Sequence, residues 1–173
     1  MTTISVDRYD LALLEALQRD GHATNAALGE RVHLSGSQVS RRIQSLQDNG
    51  VIKGYAALLD PATIGLGVTA YAHVILERHG DASVLAFEQE IGAMPEVLEC
   101  FSVTGEFDYI LRIVAPDLAA FSAVIMKRLL TLPGVSQVKT NIALQNIKET
   151  HVLPLAHVTQ PVAKRQRIRF ADA

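Results

Sequence analysis

The sequence predicts an α+β chain in two parts, three short helices at the N-terminus followed by a βαββαβ arrangement. Three observations carry this. A capped helical repeat runs through Leu34 to Ile52, the apolar period switches from helical to alternating at Val68, and a strand–helix–strand pattern then occurs twice. These features place domain boundaries at 1–60, a linker at 61–67, a second domain at 68–150 and a C-terminal extension at 151–173.

In the first domain, Asp7 is placed to cap a helix through about Gln18, with Leu11, Leu14 and Leu17 at helical spacing and Asp20-Gly21 as the break. A second helix follows Thr24, with Ala27, Leu28 and Val32 on its apolar side. The turn His33-Leu34-Ser35 leads into a third helix beginning near Gly36. Ser35 and Gln38 have the spacing of a capping box, in which each side chain takes a backbone N–H of the first turn. Val39, Ile43 and Leu46 fall on one face, and Asn49-Gly50 ends the helix. Three helices joined by tight turns are the helix-turn-helix plan. The face opposite Val39 carries Ser37, Gln38, Arg41 and Gln44, side chains that can meet base edges in a major groove; the competing reading is an ordinary solvated surface. After Gly50, VIKGYAALLD reads as an extended strand or small wing, with Lys53 where a wing can touch phosphate; the competing reading is a solvated surface lysine.

Asp60-Pro61 and the glycines of ATIGLG mark the linker. VTAYAHVIL then alternates, with Ala70, Ala72, Val74 and Leu76 on one side and Tyr71, His73 and Ile75 on the other. A polar turn at 77–82 precedes a helix over Ser83–Ala93, stopped by Met94-Pro95. VLECFSVTG is a second strand, GEFD a turn and YILRIVA a third strand. Asp117 caps a helix aligning Leu118, Phe121, Ile125 and Leu129, Pro133-Gly134 ends it, and VSQVKTNIAL is the fourth strand. The two halves echo each other, Met94-Pro95-Glu96-Val97 against Leu132-Pro133-Gly134-Val135, which is the ferredoxin-like βαββαβ order. Helices cover one face of such a sheet. Apolar residues such as Tyr71, Ile75, Leu98 and Cys100 are then left over, so a homodimer through this sheet is expected.

Composition narrows the function. The 173 residues are 49% hydrophobic and 20% charged, which suits a globular protein, and no apolar run approaches the ~20 residues of a membrane span. No basic-then-apolar leader opens the chain, so a cytoplasmic protein without membrane contact is expected. The single cysteine, Cys100, reads as a buried core thiol, and no metal or cofactor is expected. The formal net charge of −2 excludes a protein that coats nucleic acid non-specifically. Residues 1–60 hold six Lys/Arg against seven Asp/Glu, so bulk electrostatics cannot drive binding by that domain. Only the tail is basic, through Lys164, Arg165, Arg167 and Arg169, and it reads either as a solvated tail or as an arm touching DNA or another subunit.

The pieces Asp10, Leu14, Leu17 and Gly21, then LSGSQVSRRIQSLQDNGVIKGYAALLD, then Gly65 and VTGEFDYIL, resemble the Lrp/AsnC feast/famine transcription regulators over about residues 6–150. That family's layout is a winged helix-turn-helix followed by a ferredoxin-like effector domain of the RAM/ACT type. Departures are Gln47 where an acid is common, His22 where a base is common, and a longer tail after His157. The resemblance implies a regulator that binds double-stranded DNA, dimerises through its sheet, assembles to tetramers, octamers or higher, and answers a small effector, usually an amino acid. It places the effector at the loop Thr104, Gly105, Glu106, Phe107, Asp108 and Tyr109, with Thr140 and Ile142 as contributions from a neighbouring subunit. The loop suits this chemistry independently. Gly105 lets backbone N–H groups approach a carboxylate and Asp108 can accept from an ammonium, although a plain turn uses the same residues.

On the resemblance, Ser37, Gln38, Arg41 and Gln44 read bases, Lys53 contacts phosphate, and Arg42 contacts phosphate or braces the fold. Two other function classes stand beside the regulator. One is an amino-acid sensor or assembly protein without DNA binding, which the near-neutral first domain favours. The other is an enzyme on the ferredoxin-like fold. His73 with His79, and His151 with His157, are six residues apart, which does not favour one helical face, so the enzyme is the weaker reading.

Overall fold

The computed structural model describes residues 4–77, 81–159 and 168–170. The chain divides into two compact units, Met1–Ala57 with Lys148–Ala173, and Leu58–Ile147.

In the first unit, β1 (Ile4–Val6) precedes α1 (Arg8–Arg19), α2 (Asn25–Val32) and α3 (Gly36–Asp48). Each helix starts where its cap predicts. Asp7 and Asp10 form a capping box at α1, Thr24 accepts from Ala27 N–H at α2, and Ser35 with Gln38 forms the box at α3. Gly50, at φ +69°, takes the left-handed conformation that turns the chain out of α3. Leu13, Leu17, Leu28, Val32 and Val39 form one core cluster, and Val6, Leu14, Leu46 and Val158 form a second.

In the second unit, β2 (Val68–Leu76), β3 (Val97–Ser102), β4 (Tyr109–Ala115) and β5 (Val135–Ile142) make an antiparallel sheet in the order β3-β4-β2-β5, the ferredoxin-like arrangement. Helix α4 (Asp81–Gly92) supplies Phe87 and Ile91 to the core. The second helical segment supplies Phe121, Ile125 and Leu129 against Ala70, Ala72, Val74, Leu111 and Ile113. The other sheet face presents Tyr71, His73, Ile75, Ile110 and Arg112, with Phe101 exposed beside them.

Several local expectations are corrected. VIKGYAALLD forms no strand among the described residues: Val51 and Ile52 donate their N–H groups back to Leu46 C=O at the end of α3, and no ladder pairs the rest. The helix after Asp117 is broken into α5 (Leu118–Ala120), a π-helical turn Phe121–Met126 and α6 (Lys127–Leu130), a distortion that i, i+4 patterning does not register. The last strand stops at Ile142, before the expected Ala143-Leu144. Cys100 is exposed rather than a core thiol, since β3 is the edge strand.

The extension beyond residue 150 is not simply solvated. A 3₁₀ turn at Ala156–Val158 buries Val158 among residues of the first unit, and β6 (Ile168–Phe170) pairs in parallel with β1. The expected roles of Lys164, Arg165 and Arg167, and of the Arg169 side chain, lie outside what is described, as do His79 and most of the polar turn before α4.

Candidate functional site

Helix α3 is fixed at its start by its own sequence. Ser35 N–H donates to Gln38 Oε1 at 2.9 Å, and Gln38 N–H donates to Ser35 Oγ at 3.3 Å. Ser37 Oγ lies 3.1 Å from Ser35 Oγ, so the hydroxyl of Ser37 and the carbonyl oxygen of Gln38 are engaged locally, while the Gln38 amide nitrogen has no partner among the described residues. Gln44 donates to the Asp48 carboxylate one turn on, at 2.8 Å.

The two adjacent arginines do different work. Arg42 reaches back to the first turn of α1, with Nη1 2.8 Å from both Asp7 Oδ2 and Asp10 Oδ1. Burial raises the Asp7 carboxyl, but the Asp10 backbone N–H and the Arg42 guanidinium outweigh it and hold the group below the usual carboxylate range. Burial likewise disfavours the Arg42 charge, and the two carboxylates override it and raise its pKa. Of the two roles expected for Arg42, the geometry matches the brace. Arg41 is exposed and has no hydrogen bond or ion pair among the described residues. With Ser37, Ser40, Gln44, Ser45 and Asp48 it borders an open groove of about 580 Å³. Lys53 is exposed but stands apart, lining a different cavity with Leu11, Leu14, Tyr55 and Leu155.

In the second unit the loop joining β3 to β4 is held by Asp108. Its N–H donates to Val74 C=O at 2.9 Å, its carbonyl accepts from Val103 N–H at 2.9 Å, and Oδ2 accepts from Leu76 N–H at 2.8 Å. One carboxylate oxygen therefore serves the backbone of β2. Gly105 sits at φ +122°, a conformation that other residues rarely adopt, and Thr104 is exposed beside it. Glu106 accepts from Lys139 Nζ at 2.9 Å, and that bond, followed by the Lys139 charge, holds its carboxyl below the usual range. Phe107 meets His73 in a tilted ring contact with centroids 4.7 Å apart, and Lys139 Nζ lies 5.1 Å from the centroid of the Phe107 ring.

Tyr109 departs from the loop's surface. It is 6% exposed, its ring packs on Phe87, and its hydroxyl donates to Glu88 at 3.0 Å. Burial and then Glu88 push its pKa up to about 12. Thr140 and Ile142 are also not gathered at the loop. They pair with Ala72 and Ala70, successively farther along β2 from Leu76, and Thr140 Oγ1 lies 3.3 Å from Met126 Sδ under the helical layer. The residues that do join the loop, His73 and Lys139, were missed in the sequence. They are cross-strand partners, and the alternation of β2 already placed His73 on the face away from the helices. Among the described residues, no cluster of His, Cys, Asp and Glu can hold a metal, and no helix is long and apolar enough to cross a membrane.

Residues 6–53 match the winged helix-turn-helix DNA-binding family and residues 69–153 match the Lrp/AsnC ligand binding domain family. A leucine-responsive regulatory protein from Rhizobium meliloti is 35% identical over 146 residues, covering 84% of this chain and 94% of the relative. The Escherichia coli K12 protein of the same name is 32% identical over 148 residues, covering 86% and 90%. Among solved structures, a Neisseria meningitidis transcriptional regulator in complex with L-methionine superposes with a TM-score of 0.84 at 39% identity, covering 88% of this chain and 98% of that one. A Mycobacterium tuberculosis feast or famine regulatory protein complexed with L-methionine gives a TM-score of 0.75 at 27% identity, covering 84% and 96%. These relatives are regulators and not enzymes, which removes the catalytic reading.

Proposed function

The chain belongs to the Lrp/AsnC family of DNA-binding transcriptional regulators, and on that premise we propose that α3 reads double-stranded DNA chiefly through Arg41 while the 104–108 loop answers a small amino acid. The observation that carries the DNA half is the contrast between the arginines. Arg42 is spent on Asp7 and Asp10, whereas Arg41 is unpaired on an open groove. Ser37, Gln38 and Gln44 supply further base contacts and Lys53 a phosphate contact. Gln38 approaches DNA with its amide nitrogen, since its oxygen holds the cap.

For the effector, Gly105 and the backbone around it suit a carboxylate, and Glu106 and Asp108 offer oxygens to an ammonium. Phe107 supplies an apolar wall, Tyr109 supports the loop from beneath, and Ile142 is open to a neighbouring subunit while Thr140 is covered by Met126. The L-methionine complexes of the Neisseria and Mycobacterium relatives support this class of ligand.

The protein works in the cytoplasm as a homodimer joined through the exposed sheet face, assembling further to tetramers or octamers. Tyr71 and Phe101, 40% and 57% exposed on that face, favour a partner there. With six basic residues against seven acidic ones in residues 1–60, a single copy binds DNA weakly, so affinity comes from two or more copies at half-site spacing. The same charge balance favours, as a second reading, a sensor that does not bind DNA. Retardation of the protein's own upstream DNA, with and without L-methionine or L-leucine, tests the two. A specific shift altered by an amino acid supports the regulator, and an effector-induced change in assembly without any shift supports the sensor.

A further inference from the structure

We propose that Leu155 and Val158 are positioning residues for helix α3, carried on a C-terminal strap that returns from the sensing unit to complete the DNA-binding unit. Helix α3 rests on two separate clusters. Its N-terminal half is seated by Val39 among Leu13, Leu17, Leu28 and Val32. Its C-terminal half is seated by Leu46, and the buried neighbours of Leu46 are Val6, Leu14 and Val158, with Leu155 packed against them. The rotation of a helix about its axis is set by the side chains beneath it, so the second seat fixes where the exposed face carrying Arg41 and Gln44 points.

The strap is built to hold that seat. Leu153 and Gln18 on α1 exchange two hydrogen bonds, Leu153 N–H to Gln18 Oε1 and Gln18 Nε2 to Leu153 C=O. The 3₁₀ turn then closes with Val158 N–H on Leu155 C=O at 3.0 Å, which presents Val158 inward at 7% exposure. The ligand-binding domain match ends at residue 153, before either positioning residue. The unit Leu58–Ile147 is therefore an insertion within the DNA-binding unit, joined to it at both ends.

This inference rests on the DNA-binding reading above, and the test separates the two. In the full-length protein, L155S/V158S is compared with wild type for affinity to the upstream DNA and for amide exchange in α3 and in β2. The expected result is about tenfold weaker DNA binding and faster exchange over the last turn of α3, with β2 unchanged. Val158→Ile is expected to keep wild-type affinity, because it keeps a branched apolar side chain in the cluster that holds Leu46. Wild-type affinity and wild-type α3 exchange in L155S/V158S would overturn the proposal. Should β2 also lose protection, the milder Val158→Ala decides, with selective loosening of α3 supporting the strap and unchanged α3 exchange overturning it. Absence of DNA binding by the wild type would end the regulator reading, and α3 exchange alone would then judge the strap.

Discussion

Arg42 Nη1 lies 2.8 Å from Asp10 Oδ1, joining the middle of α3 to the first turn of α1. With Asp7 at the same distance, one guanidinium bridges two carboxylates and also stands 5.3 Å from the Tyr9 ring centroid. The arrangement spends a cation of a nearly neutral domain on architecture. It ties Arg42 to stability, and Arg41 is left exposed and unpaired among the described residues.

Replacing Arg42 with alanine is therefore expected to destabilise the first unit by about 1–2 kcal/mol, the scale of partly exposed charge-assisted bonds whose acceptors are left behind. Urea unfolding followed by a probe in α1 measures it. The pH dependence has a defined sign. Asp7 is held below its unfolded pKa, so its contribution is present above that value, near ~3.9, and fades as pH falls toward the depressed folded value. Arg42→Ala should flatten this acid limb and leave stability near neutral pH uniformly lower.

Gly105→Val separates loop from fold. An added Cβ meets nothing within 4 Å, so the cost is set chiefly by the φ of +122° and should be about 1–3 kcal/mol. Thermal melting should fall modestly, while any stabilisation by L-methionine or L-leucine disappears.

Lys53→Ala tests a phosphate contact. It should weaken binding alike on cognate and unrelated DNA and reduce the salt dependence of log K by about one. A loss confined to the cognate site would move Lys53 to base reading.

Tyr109 belongs to the core, and its phenol should be among the last to ionise in an ultraviolet pH titration, near the value of about 12 that burial and Glu88 impose. Tyr109→Phe removes that transition and should cost about 1 kcal/mol through the lost bond to Glu88.

What the sequence made legible was local or periodic. Ser35 and Gln38 cap α3 because three residues suffice to build the box. The sheet order followed from two repeated strand–helix–strand units, and the alternation of Val68–Leu76 matches its burial. The placement of Tyr109 was also readable, since it shares parity with Leu111 and Ile113, yet its position next to GEFD drew it into the effector set. Other features depended on distant partners. Nothing around Arg42 distinguishes it from Arg41 until Asp7 and Asp10 are brought 32 or more residues back against it. VIKGYAALLD has strand composition, but composition does not supply a neighbouring strand. Leu155 and Val158 lie in a stretch without period, and only the pocket left at Leu14 and Leu46 gives them a place.

Helix α3 is the proposed reader of DNA. The most direct measurement compares Arg41→Ala with wild type on the protein's upstream DNA and on a scrambled duplex, at fixed salt. The expected loss is about 1–3 kcal/mol on the upstream site and much less on the scrambled one. Binding by Arg41→Ala that matches wild type on both duplexes would show that α3 does not read DNA through Arg41.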